Sequence, residues 1–327
     1  MSKTTPTSGI SRQPIVFFGT EDFSLYSLRA LFEAGFNIVA VITKPDSRRG
    51  RSNKFIQPAV KQFASQHYIP VWQPNRLKDI ISDIKNITPR PTGVLVSYGK
   101  IIPQTIIDLF QPGIINVHPS LLPKYRGPSP IESAIANRDK TTGVTIMQLK
   151  QAMDAGPIYY QEIYPLDFTE TQPELYQTLG QLGAQLLTQK LPDIINGILQ
   201  PTPQDDSRAT YCSLLSKNDS RLNPQQLTAN QAEAKIRAHL TYPRSRLKVD
   251  QYDLIITKAR AVSTPETPLD IKCADGTYLA IDELIALSGK TISAEAFLRG
   301  YPLQRQSQPS TATITIASKH LNQQPRP

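Results

Sequence analysis

The sequence has few cysteines and histidines and no long apolar run. Its two cysteines, Cys212 and Cys273, belong to no C-x-x-C pair, so a disulfide framework or a zinc site is not expected and a reducing cytoplasm is the default location. The four histidines are scattered and form no H-E-x-x-H motif, which argues against a metal enzyme. No stretch of about 18 apolar residues predicts a membrane span, and the polar N-terminus lacks the apolar core of a secretion signal.

Two catalytic motifs are also missing. Residues 15–18 (I-V-F-F) predict a strand, but no G-x-G-x-x-G follows it, so a nicotinamide or other dinucleotide cofactor is not expected. No G-x-S-x-G elbow is present, and neither cysteine has a histidine near it in the sequence. We therefore do not expect a covalent intermediate on a serine or cysteine nucleophile.

The apolar pattern of the first two hundred residues predicts an α/β fold. Residues 15–18 and 38–43 read as strands, and the amphipathic stretch 22–34 between them reads as a helix. Such a βαβ unit is typical of a parallel sheet with crossover helices. Residues 143–149 and 158–163 read as two strands joined by a short turn, so we expect a hairpin and a mixed sheet.

A polar, proline-bearing segment divides the chain. Beyond it, short strand-like runs and one helix, with turns such as Asp275-Gly276, indicate a small antiparallel barrel or sandwich. We expect a disordered lead over residues 1–12, an α/β domain over 13–200, a linker over 201–210, a β domain over 211–305 and a disordered tail over 306–327.

Positive charge is concentrated in residues 44–61. Six basic residues against one acidic residue give this segment a net charge of +5, more than half of the +9 of the whole chain. The segment reads as a mobile loop leading into a helix. It is either a solvated surface loop or a loop that binds phosphates. The concentration of charge favours the second reading. The candidate phosphate contacts are Arg48, Arg49, Arg51 and Lys54.

Residues 114–123 read I-I-N-V-H-P-S-L-L-P and contain the main candidate for chemistry. Asn116 and His118 are two apart on a predicted strand, so their side chains face the same side. An amide can donate to a developing oxyanion, and an imidazole can exchange a proton near neutral pH. Alone, N-x-H is weak, because such residues are more often simple hydrogen-bonding groups. Asp154, in the turn after residues 143–149, could orient the imidazole for direct acyl transfer to an amine.

The stretch I-N-V-H-P-S-L-L-P-K-Y-R-G-P-S-P-I, with G-V-T-I-M-Q-L and M-D-A-G-P downstream, resembles the formyltransferases that use 10-formyltetrahydrofolate. The resemblance implies a Rossmann-like, mostly parallel formyltransferase domain followed by an OB-like β-barrel, with 10-formyltetrahydrofolate as co-substrate and no metal. It also implies a catalytic trio of Asn116, His118 and Asp154. The segment implied to meet the tetrahydrofolate is Ser120, Leu121, Leu122 and Pro123.

The resemblance covers nearly the whole chain, from F-F-G-T-E-D-F-S to D-G-T-Y-L-A-I. The chain resembles the members that formylate the α-amine of methionyl-initiator-tRNA. This resemblance implies that tRNA contacts the basic segment and the β domain. We expect such a protein to act as a monomer in the cytoplasm. Two departures stand out: Pro119-Ser120 where the family often has Ala-Ser, and Leu222-Asn223-Pro224 where it often has Asp-Trp.

Two other functions remain open. A formyltransferase acting on an amino-sugar nucleotide shares the trio and can share the second domain, but its substrate does not call for a segment of net charge +5. A catalytically inactive nucleic-acid-binding module is the other alternative, and retention of all three polar groups of the trio argues against it.

Overall fold

The computed structural model describes residues 13–49 and 54–303. The lead and tail expected at residues 1–12 and 306–327 lie outside the described residues. Among the described residues, no helix combines the length and the apolar character needed to cross a membrane.

The described chain contains fourteen strands and eight α-helices. The strands are β1 (Ile15–Gly19), β2 (Ile38–Ile42), β3 (Ser47–Arg49), β4 (Lys54–Ile56), β5 (Val71–Trp72), β6 (Thr92–Val96), β7 (Ile114–His118), β8 (Thr141–Gln148), β9 (Ile158–Pro165), β10 (Arg246–Val249), β11 (Tyr252–Val262), β12 (Ile271–Lys272), β13 (Tyr278–Ile285) and β14 (Thr291–Ser293). The helices are α1 (Asp22–Glu33), α2 (Ala59–Gln66), α3 (Ile81–Lys85), α4 (Gln104–Ile107), α5 (Pro130–Ala136), α6 (Gln172–Ile195), α7 (Ala229–Ala238) and α8 (Ala294–Gly300).

A seven-stranded sheet runs in the order β5-β2-β1-β6-β7-β8-β9. The strands from β5 to β7 pair in parallel, whereas β8 pairs antiparallel with β7 and β9 antiparallel with β8, so the predicted mixed sheet is confirmed. Strand β1 is buried on both faces, as expected for a central parallel strand. Its Phe17 packs into the core on one face and its Phe18 into the core on the other, because successive side chains alternate.

Helix α6 begins at a capping box. The backbone N–H of Thr171 donates to Glu174 at 2.9 Å, which satisfies one of the free donors at the helix start. The helix then continues through Pro192 to Ile195.

Strands β10 to β14 form a five-stranded antiparallel sheet with its own apolar core. Its order is β10-β11-β13-β12, with β14 beside β13. Leu254, Leu279 and Phe297 are fully buried in this core, and Leu222, at the position of one departure from the family pattern, packs into the same core. The antiparallel strands predicted for the second part of the chain are therefore confirmed.

The basic segment forms a hairpin and not the loop that we expected. Strand β3 pairs antiparallel with β4, with Arg49 opposite Lys54. The loop expectation was wrong because the pairing joins two strands of only three residues each, too short to show a period in the sequence. Arg51 lies outside the described residues, and only the backbone of the other three candidate phosphate contacts is described.

The base of this hairpin is anchored by Asp46. Its carboxylate accepts two hydrogen bonds from Lys61 Nζ, at 2.9 and 2.8 Å, and one from Gln73 Nε2 at 2.8 Å. The bond from Lys61 is the main reason that the pKa of Asp46 lies below its usual value. The hairpin is thus tied to α2 and to the end of β5.

Candidate active site

Asn116 and His118 lie at the carboxyl end of β7, in the middle of the large sheet. Both side chains are buried. The strand is flanked by β6 and β8, with Asn116 opposite Met147 and His118 opposite Thr145 of β8. Their alternation on a regular strand places the amide and the imidazole on one side, as the spacing predicted.

Asp154 meets both of these side chains from the turn between β8 and β9. Its Oδ1 accepts from Asn116 Nδ2 at 3.5 Å, and its Oδ2 lies 3.8 Å from His118 Nδ1. The backbone N–H of Gly127 donates to the same Oδ2 at 2.8 Å. The backbone of Asp154 is in the left-handed region, with φ of 47°. The structure therefore brings the three predicted residues together.

The second ring nitrogen of His118 fixes the proton arrangement of the imidazole. His118 Nε2 lies 2.9 Å from the carbonyl oxygen of Tyr125. Because a carbonyl only accepts, Nε2 must carry a hydrogen and donate it. In the neutral ring, the basic lone pair is then on Nδ1, on the side that faces Asp154.

The S-L-L-P segment forms a tight turn whose polar groups are used internally. Ser120 is buried, its Oγ donates to the carbonyl of Lys124 at 2.6 Å, and its carbonyl accepts from Thr145 Oγ1 at 2.6 Å. Leu122 is also buried, whereas Leu121 and Pro123 are half-buried. The turn holds the chain that leads from His118 to Tyr125.

The chain after α6 lies directly on this loop. The carbonyl of Thr210 accepts from Arg126 N–H at 2.8 Å, and the hydroxyl of Thr210 accepts from Tyr125 N–H at 2.9 Å. At Gly127 (φ of 123°) a Cβ would come within 2.2 Å of the carbonyl oxygen of Cys212, so only glycine allows this approach. Sequence reasoning missed Tyr125, Gly127 and Thr210 as site residues. The contact between Tyr125 and Thr210 spans 85 residues and leaves no local pattern.

The loop after His118 also contacts a cysteine. Cys212 lies beside the loop, with its Sγ 3.7 Å from the carbonyl oxygen of Tyr125, and burial raises the pKa of the thiol. Over residues 13–49 and 54–303, no group of three histidine, cysteine or acidic side chains is arranged to hold a metal ion. The chemistry available at the site is that of an amide donor, an imidazole and a carboxylate.

Comparison with known proteins identifies the class. Residues 13–191 match a family model described as formyl transferase. The methionyl-tRNA formyltransferase of Halorhodospira halophila is 39% identical over 298 residues, covering 88% of this chain and 96% of the relative. That of Pelobacter propionicus is 33% identical over 306 residues, covering 90% and 95%. Because the family model covers more than half of the chain, the protein is a formyl transferase.

The relatives extend past this domain through the antiparallel sheet. The chain belongs to the methionyl-tRNA formyltransferase family, whose formyl donor is 10-formyltetrahydrofolate. A solved N-formyltransferase of Helicobacter canadensis, in complex with folinic acid and dTDP-3-aminofucose, has the same fold with a TM-score of 0.64 at 20% identity, covering 82% of this chain and 98% of that one. At that identity the likeness concerns the fold alone.

Proposed function

We propose that Asn116, His118 and Asp154 carry out the transfer of a formyl group from 10-formyltetrahydrofolate to the α-amine of methionyl-initiator-tRNA. The observation that supports these roles is the meeting of the three side chains at the end of β7, with Asp154 within 3.8 Å of both Asn116 and His118. These three side chains fit the attack of an amine on an acyl carbon. They offer a hydrogen-bond donor, a proton acceptor and a negative charge that orients the other two groups.

His118 exchanges the proton. The α-amine of an aminoacyl group is partly neutral near pH 7.5 and loses a proton as its nitrogen bonds to the formyl carbon. His118 Nδ1 accepts that proton, because Nε2 is already committed as a donor to Tyr125. The carboxylate of Asp154 stabilises the resulting imidazolium, and the carbonyl of Tyr125 supports it from the other side.

Asn116 stabilises the negative charge that develops on the formyl oxygen. Its amide has two N–H groups, one of which is directed toward Asp154 at 3.5 Å, so the other can donate to that oxygen. The N–H that forms on His118 Nδ1 also donates to this oxygen until its proton leaves, since Nε2 stays committed to Tyr125. When 10-formyltetrahydrofolate is bound, it supplies the activated formyl group. The proton held by His118 then passes to the departing nitrogen as the carbon–nitrogen bond of the donor breaks, so protons balance over the cycle.

The S-L-L-P turn forms a wall of the tetrahydrofolate site in this proposal. Leu121 and Pro123, the half-buried members, are available to a ligand, whereas Ser120 and Leu122 are buried and act by holding the shape of the turn. The internal bonds of Ser120 to Lys124 and Thr145 support that division.

The basic hairpin supplies the contacts to tRNA. Arg48, Arg49, Arg51 and Lys54 neutralise phosphates, which requires charge but not base recognition. The hydrogen bonds of Asp46 to Lys61 and Gln73 hold the start of the hairpin in place.

The antiparallel sheet belongs to a second domain that also meets tRNA. We assign residues 13–200 to the formyltransferase domain, 201–210 to a connection and 211–305 to an OB-like barrel. The separate apolar core of the second sheet supports this division. We further propose that the chain acts as a monomer in the cytoplasm, where charged initiator tRNA is used.

The assignment of His118 is tested by formylation kinetics. His118→Ala removes both the proton acceptor and the bond to Tyr125, so kcat should fall about 10²- to 10⁴-fold with little change in the KM for either substrate. His67→Ala is the matched control, because His67 is exposed after α2, where its ring contacts those of Phe32 and Phe63 at a tilt. Activity of folded His118→Ala within a few-fold of the wild type would contradict the assignment.

A further inference from the structure

Gln204, in the segment after α6, sits behind Asp154 and touches its backbone. The Nε2 of Gln204 donates to the carbonyl oxygen of Asp154 at 2.7 Å and to that of Gly156 at 2.7 Å. A side-chain amide has two N–H groups, so both are used on the turn that presents the carboxylate. This turn needs support, because the left-handed backbone of Asp154 is unfavourable for a residue with a side chain.

The other end of the Gln204 side chain is fixed by a buried arginine. Arg126 donates to Gln204 Oε1 from Nε at 3.1 Å and from Nη2 at 2.8 Å, and only 3% of Arg126 is exposed. Because a guanidinium only donates, the amide can take one orientation, with its oxygen toward Arg126 and its N–H groups toward the turn. Asp206 pairs with Arg126 Nη2 at 2.6 Å and compensates its charge.

Arg126 lies between the two backbone groups that contact the trio. The carbonyl of Tyr125 accepts from His118, and the N–H of Gly127 donates to the carboxylate of Asp154. One tripeptide therefore holds the imidazole, the carboxylate and, through Gln204, the backbone that carries the carboxylate. A shift of this tripeptide would move the imidazole and the carboxylate together.

We propose that Gln204, oriented by Arg126, is a positioning residue that fixes the carboxylate of Asp154 against His118 during formyl transfer. This inference depends on the role proposed for Asp154. Gln204 touches neither reacting group, so it acts on the distance between Asp154 and His118. Loss of the bonds from Gln204 lets the turn relax, and a displacement of about 1 Å at a reacting group can lower a rate up to about 100-fold.

Steady-state kinetics of folded variants test this role. For Gln204→Ala, kcat per folded molecule should fall about 10-fold, with the KM for methionyl-tRNA and for 10-formyltetrahydrofolate changing less than about 2-fold. Gln200→Ala is the matched control, because Gln200 Nε2 also donates to a backbone carbonyl, that of Gly197, on an exposed turn away from the site. Its kcat should equal that of the wild type.

A double-mutant cycle separates positioning from general support. Arg126→Met should also lower kcat about 10-fold, and the double variant should lose no more than about 20-fold, because both residues act through one amide. Multiplicative losses near 100-fold, or a kcat of Gln204→Ala within about 2-fold of the wild type, would overturn the inference. If Gln204→Ala does not fold, Gln204→Glu replaces it. That variant keeps the bonds from Arg126 but turns an acceptor toward the carbonyls of Asp154 and Gly156. Its kcat should fall, and a kcat equal to that of the wild type would overturn the proposal.

Asp154→Asn, measured alongside, distinguishes a failure of the positioning role of Gln204 from a failure of the proposed catalytic trio. An inactive Asp154→Asn with a fully active Gln204→Ala overturns the positioning role alone. A fully active Asp154→Asn overturns the proposed trio itself.

Discussion

His239 is a buried histidine that makes the stability of the protein depend on pH. Its imidazole is almost fully buried, and its Nδ1 has no hydrogen-bond partner among residues 13–49 and 54–303. Burial, followed by the nearby charge of Lys235, lowers its pKa to about 4, while Asp219 opposes that shift. The unfolded chain therefore binds a proton near pH 6.5 that the folded chain does not bind until about pH 4.

The consequence is a loss of stability on acidification. The contribution of the neutral His239 is complete above pH 6.5 and is lost as the pH falls toward the folded pKa of about 4. At pH 5 the loss should be about 2 kcal/mol relative to pH 7.5. Urea unfolding at both pH values checks this for the wild type and for His239→Gln, which does not titrate. The same pH dependence in both proteins would contradict it.

At the scale of elements, the basic hairpin of β3 and β4 is expected to grip phosphates. Replacing Arg48, Arg49 and Arg51 with alanine should weaken tRNA binding. It should also reduce the magnitude of the slope of log K against log salt by about 2 to 3, because binding releases fewer counterions when fewer phosphates are neutralised. The KM for 10-formyltetrahydrofolate should stay the same. Salt titrations of tRNA binding and steady-state kinetics measure the two effects.

A charge-matched variant controls for the overall loss of positive charge. Arg76, Lys78 and Lys85 are exposed between β5 and β6, outside the hairpin. Their triple alanine variant should change the salt slope by less than about 1. Equal slopes for the two triple variants, or a matching loss of folate binding in the hairpin variant, would contradict the role of the hairpin.

The elements that the sequence predicted well are those with a local signal. Strand β1, helix α1 and strand β2 follow from apolar periodicity and from Gly35, which ends the helix region with a φ of 81°. The geometry around Asn116 and His118 also followed from the period of a strand. In contrast, the β3–β4 pairing and the passage of α6 through Pro192 depend on tertiary context that overrides local preference.

The part of the site that the sequence did not predict depends on distant contacts. The residues K-Y-R-G-P belong to the stretch that carries the family resemblance, yet nothing in them predicts that the carbonyl of Cys212 lies against Gly127. Similarly, Gln204 reads as a polar residue of a linker, but it reaches back fifty positions to Asp154. Periodicity and turn chemistry describe neighbours in the chain, so they carry no information on such pairs.

At the scale of the whole molecule, the two sheets are connected by more than the chain between them. Arg237 of α7 donates to the carbonyl of Glu170 just before α6 at 2.7 Å, and Thr241 donates to Gln172 of α6 at 2.8 Å. The segment that joins the sheets also covers the loop behind the trio. The unit proposed to meet tRNA is thus joined to the residues proposed to transfer the formyl group.

The trio at the end of β7 is expected to formylate methionyl-initiator-tRNA. The direct test is a side-by-side formylation assay with 10-formyltetrahydrofolate, in which methionyl-initiator-tRNA competes with a panel of amino-sugar nucleotides and the products are measured by mass spectrometry. The expected product is formylmethionyl-initiator-tRNA, with a kcat/KM at least about 100-fold above that of any sugar nucleotide, a margin that several phosphate contacts can supply. Formylation of a sugar nucleotide at an equal or higher kcat/KM would contradict it.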